Sequence, residues 1–127
     1  LVQLREADYQ LLHEYKEMLL VIEEGFTYVT TNLREEAPPQ VQDVFNDLLA
    51  AFQRINTTHT TLSKCFEEDE ELDRLLDDYK VLITNLTGWF EMHTNVKKKE
   101  LLDKQIIPQF VQWRDNMLTF IEPYTIQ

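Results

Sequence analysis

A chain of 127 residues suits one domain, and with 43% hydrophobic and 28% charged residues it is globular rather than disordered. Two glycines and four prolines are too few for the many turns of an all-β fold, which leaves a helical one. A net charge of −11 at pH 7, from 23 acidic and 12 basic side chains, repels phosphate backbones and anionic bilayers, so nucleic acid and membrane are not expected partners.

The first predicted helix carries apolar residues at Leu4, Ala7, Leu11, Tyr15, Met18, Ile22, Phe26, Val29 and Leu33, the three-and-four spacing of a buried helix face. Tyr9, Leu12 and Leu20 fall off that stripe, beside Lys16, and are read as an exposed apolar strip for a partner helix or a second copy. Pro38-Pro39 ends this helix and opens the next, since proline suits a first helical turn. The second helix runs through Val41, Phe45, Leu48, Phe52, Ile55, His59, Leu62 and Phe66. Cys65, the lone cysteine, cannot form an internal disulfide, and it reads as an inert buried thiol in a reducing compartment.

The acidic run from Glu67 to Glu71 opens the third helix, where carboxylates favour the positive end of the dipole. Its predicted stripe is Leu72, Leu76, Tyr79, Ile83, Leu86, Phe90 and His93. Thr94-Asn95 ends it, and the fourth follows through Leu102, Ile106, Phe110, Trp113, Met117, Phe120 and Tyr124, with Pro108 expected to kink or break it. Short connections make neighbours antiparallel, so the expectation is one domain over residues 1–127, an up-down-up-down four-helix bundle kinked at Pro108. The first and third loops then share one end, opposite the acidic second loop. No signal-peptide pattern is read, and no apolar run is long enough to span a bilayer, so a cytoplasmic location is expected.

Chemical constellations are sparse. No Glu-x-x-His pair of the di-iron bundles occurs, and no cofactor is expected. His13 and His59 fall at one height by helical rise, with Asp78 near, which is the donor set of an open zinc site. Arg54 and His59 have the Arg-x4-His spacing of HEPN-type ribonucleases, in which an Arg would hold phosphate and a His would move a proton. In this chain Ile55 follows the Arg, where that motif usually carries a polar residue. Gly25 and Gly88 share a level with Ala50-Ala51 and Pro108, beside Phe26, Trp89 and Trp113, and this layer either packs aromatic rings or opens as a ligand cleft.

Three stretches carry a family resemblance: Gly25 to Val29, Asp47 to Phe52 and Ile107 to Trp113. On these the chain resembles small bacterial helical-bundle proteins of uncharacterised function, and the resemblance implies no activity. By size, charge and helicity it is also similar to small acidic chaperones of protein export. The expected function is a non-enzymatic protein-interaction module, binding another protein or itself. The runner-up is an enzyme using Arg54 with His59, or a metal at His13 and His59.

Overall fold

The computed structural model describes residues 4–125, and these are all-α, with no strand among them. Helices α1 (Glu6–Asn32), α2 (Pro39–Cys65) and α3 (Glu70–Leu86) precede a fourth helical segment. That segment is α4 (Asn95–Leu101), a π turn over Leu102–Ile106, and α5 (Ile107–Ile121).

The caps explain the boundaries. Asp69 accepts a hydrogen bond from the Leu72 amide at 3.0 Å and so starts α3. Thr94 does the same for the Lys97 amide at 3.1 Å and starts α4. Pro39 opens α2 in the position where a missing N–H costs nothing. Pro108 lies in the first turn of α5, and the preceding π turn hands the Ile107 amide to the Leu102 carbonyl. One wider turn therefore absorbs the proline, and the helix does not break there. Asn95 Nδ2 donates to the Arg34 carbonyl at 2.7 Å, which ties the first and third connections together at one end.

Side chains of α1 and α2 meet in opposite order: Tyr15 with His59, and Phe26 with Phe52. Phe110 of α5 closes on both Phe26 and Phe52, at 5.8 and 6.0 Å between ring centroids. Arg114 of α5 bridges to Glu23 of α1 at 2.7 Å. The α1–α2 seam is the tightest of the assembly, whereas α2 meets α3 only sparingly.

The α2 stripe is buried at every predicted position from Val41 to Phe66. Two other stripes are rotated. In α1 the core residues are Leu12, Tyr15, Leu19, Ile22, Phe26 and Val29, so Leu12 replaces Leu11 and Leu19 replaces Met18. In α3 they are Leu72, Leu75, Tyr79, Leu82 and Leu86. The third helix also stops early. The chain tightens into a 3-10 turn at Thr87–Glu91, which turns Trp89 inward to stack on Phe45 at 3.9 Å and leaves Phe90 63% exposed and His93 exposed.

Candidate functional site

Half-way along the bundle the core becomes polar. His59 of α2 is only 5% exposed, and its ring meets Tyr15 of α1, Tyr79 of α3 and Trp113 of α5 edge-on. All four helical segments thus contribute to one layer. The Tyr15 hydroxyl lies 2.6 Å from His59 Nε2, the Tyr79 hydroxyl donates to the Phe52 carbonyl at 2.8 Å, and Trp113 Nε1 donates to the Leu75 carbonyl at 2.8 Å. Aromatic residues carry polar handles into a core only where such partners exist, because an unpaired buried donor costs roughly 1–3 kcal/mol.

Burial sets the protonation here. It lowers the His59 pKa to about 4, so the imidazole is neutral at pH 7. Burial also pushes the Tyr15 and Tyr79 phenols well up, so both keep their protons. Tyr15 and His59 Nε2 therefore share one hydrogen bond between two neutral groups. No buried side-chain nitrogen or oxygen among the described residues lacks a partner. His59 also lines the groove that runs beside it.

That groove follows the α2–α3 seam. Its larger part encloses about 460 Å³, with Phe52 and Tyr79 as floor, Leu49 and Ile83 as apolar walls, and Gln53 and Lys80 at the rim. A smaller lobe of about 200 Å³ continues past His59 towards Ser63 and Leu76. A second groove, between α1 and α2, contains Leu11, Met18, Val21 and Arg54.

The expected sites fare differently. The strip of Tyr9, Leu12 and Leu20 is not continuous: Leu12 is 1% exposed in the core, Tyr9 is half-buried, and Leu20 alone is well exposed at 47%. The strictly alternating register of α1 draws Leu12 inward, one position round from the expected face. The layer of Gly25, Phe26, Gly88, Trp89, Pro108 and Trp113 is packed rather than open. Phe26, Phe52 and Phe110 fill its centre, Trp89 stacks on Phe45, and Pro108 is exposed. At Gly25 an added Cβ would lie 2.8 Å from Leu48 Cδ2, so the missing side chain is room for Leu48.

His13 and His59 do not converge. Tyr15, two residues further along α1, occupies the place beside Nε2, and no group of three His, Cys, Asp or Glu among the described residues could hold a metal ion. Arg54 and His59 line different grooves, because five residues on a helix turn them about 140° apart. Cys65 is half-buried, with its thiol pKa raised by burial and then by Asp8. Sequence reasoning counted the height of His59 correctly, and missed that the tyrosine after His13 and the one after Asp78 are its partners. The signal was available: Tyr15, His59, Tyr79 and Trp113 all lay on predicted core stripes.

Residues 10–116 match a family described as a domain of unknown function, DUF8042. Among curated proteins, an uncharacterised protein of Bacillus subtilis (strain 168), YvzG, is 26% identical over 125 residues, covering 94% of this chain and 95% of its own length. No solved structure matches.

Proposed function

The chain belongs to the DUF8042 family, a domain of unknown function with a bacterial relative, and from that footing we propose that it is a non-enzymatic protein-interaction module. The helices run up, down, up and down, which the reversed order of α1–α2 contacts supports, and the fourth bends where the π turn meets Pro108. A partner's amphipathic helix docks along the α2–α3 seam.

One observation carries this reading. The α2–α3 seam is the sparingly packed one, and it exposes Leu49 and Ile83 over a floor of Phe52 and Tyr79 in a groove long enough for two helical turns. Apolar anchors of a partner helix would fill that floor, while Gln53 and Lys80 offer polar contacts at its edge. The site suits a cytoplasmic adaptor or a chaperone-like holder of helical segments.

The test is an affinity pull-down from the native host with wild type beside a Leu49→Glu, Ile83→Glu double variant. Both positions are half-buried, so circular dichroism serves as the control for folding. A partner retained by wild type and lost by the folded variant supports the groove. A partner retained equally by both overturns it.

A further inference from the structure

Carboxylates are missing from the α2–α3 groove of an otherwise acidic chain. The protein has 23 acids, yet among the described residues no Asp or Glu lines either lobe, and Lys80 is the one cation that does. The α2 bank shows the same exclusion. Positions 42, 46, 49, 53, 56, 60 and 63 follow at steps of four and three, and they carry four amides, two hydroxyls and Leu49. On α3 the residues beside Lys80 are Leu76, Ile83 and Thr84, with Tyr79 beneath. Asp77 reaches Lys80 Nζ at 4.0 Å but lines neither lobe, and with both side chains 78% exposed the pair holds Lys80 only weakly.

The groove also has a regular spacing. Phe52 of the larger lobe and His59 of the smaller stand two helical turns apart on α2, and Ile83 and Leu76 stand two turns apart on α3. Each interval is about 10 Å of helical rise. Asn56 and Lys80 line both lobes and sit at the junction, one turn from either end. We propose that the groove selects an acid-bearing helix: a large apolar residue at i for the larger lobe, Asp or Glu at i+3 or i+4 beside Lys80, and a smaller apolar residue at i+7. The proposal rests on the helix-docking reading and adds the chemistry that the partner carries. The same pattern read backwards serves a partner lying the other way along the seam.

Charge complementarity favours this occupant over a basic helix. A chain at −11 attracts basic segments in general, yet the fixed charge at this groove is a cation. At about 0.15 M salt, exposed charges more than about 8 Å away are largely screened, so the groove's own residues decide what fits it. A Lys or Arg between the two anchors would be pressed against Lys80, and like charges brought together at an interface are strongly disfavoured. A carboxylate there meets the Lys80 ammonium, with the Asn56 amide across the seam as a second donor. The uncharged α2 bank leaves no competing acid on that side.

A displayed library of helical peptides tests the proposal with the purified chain. The peptides carry Leu or Phe at i and Ala, Val or Leu at i+7, with i+3 and i+4 fully varied. Selection is run at about 0.15 M salt against wild type, Lys80→Glu and Ile83→Glu. Lys80 is exposed, so its reversal leaves the core untouched, and circular dichroism checks that each variant is folded. Wild type is expected to enrich Asp or Glu at the varied positions, Lys80→Glu to enrich Lys or Arg, and Ile83→Glu to enrich nothing. In fluorescence anisotropy, replacing the acid of a selected peptide by Lys is expected to weaken binding to wild type roughly tenfold. Neutral or basic residues enriched by wild type, or the same residues enriched by Lys80→Glu, overturn the proposal. If Ile83→Glu still abolishes binding in that case, helix docking stands and only the acid selection falls. No enrichment by wild type removes both. A wild type that fills its own groove as a dimer, seen by sedimentation and broken by Ile83→Glu, overturns the proposal as well.

Discussion

Burying a neutral imidazole makes the bundle sensitive to acid well above the range where carboxylates titrate. His59 has a folded pKa of about 4, lowered from 6.5 by burial. The unfolded chain binds a proton at about pH 6.5, which the folded chain refuses until about pH 4. Between those values the unfolded state holds more protons, so stability falls as pH falls. The full effect is about 3 kcal/mol, and about 2 kcal/mol of it is lost between pH 8 and pH 5. The reference is His59→Gln, whose amide can still accept the Tyr15 hydroxyl but cannot titrate. Urea denaturation followed by circular dichroism at a series of pH values gives the unfolding free energy of each protein. Wild type should lose about 2 kcal/mol over that range relative to its value at pH 8, and the variant should lose much less. Parallel pH profiles for the two proteins would show that His59 is not a buried neutral imidazole.

Four further outcomes follow from local geometry, each read by chemical or thermal denaturation. Gly88→Ala should stabilise by roughly 0.5–1 kcal/mol, because its Cβ would meet Leu101 at an ordinary 3.6 Å and the unfolded chain loses freedom. Gly25→Ala should instead destabilise, since its Cβ would press to 2.8 Å on a Leu48 that is itself only 5% exposed, and overpacking of about 1–3 kcal/mol outweighs a propensity gain of about 1 kcal/mol. Glu68 has φ of 62°, in the left-handed region that penalises a side chain, so Glu68→Gly should stabilise by roughly 1 kcal/mol, and a loss would mean that its side chain holds the turn. Asp69→Ala removes the cap on the Leu72 amide and should cost about 1 kcal/mol, an effect that high salt should not abolish if hydrogen bonding rather than the helix dipole dominates.

How much of this was legible depends on local redundancy in the sequence. In α2 core residues such as Val41, Ile55 and Leu62 stand isolated among polar ones and fix the phase through the mixed runs at Val44-Phe45 and Leu48–Phe52, so every position was placed. In α1 and α3 the apolar residues come in adjacent pairs: Leu11-Leu12, Met18-Leu19, Leu75-Leu76 and Leu82-Ile83. Two stripes a residue apart then have equal regularity, and only the partner helices choose between them. That choice moved Leu12 from the expected surface strip into the core, while the early end of α3 moved Phe90 out of it. The helix starts at Pro39 and in the acidic run containing Asp69 were readable because they act within one turn, whereas Thr94 was read only as the end of the third helix. The π turn before Pro108 was not, since a helix can absorb a proline by a bend, a break or a wider turn. The His59 layer fell between: helical rise supplied its height, but the azimuth of Tyr15 and Tyr79 depended on the same unresolved phase.

Site-specific photo-crosslinking in the native host tests the central claim most directly. A photoreactive residue at Gln53 or Thr84 sits on the α2–α3 groove, and one at Lys104 or Gln105 sits on the exposed side of the π turn. The docking account predicts a discrete crosslinked protein from the two groove positions, abolished by Ile83→Glu and absent from the two control positions. Crosslinks of equal pattern from all four positions, or none from the groove, would contradict it.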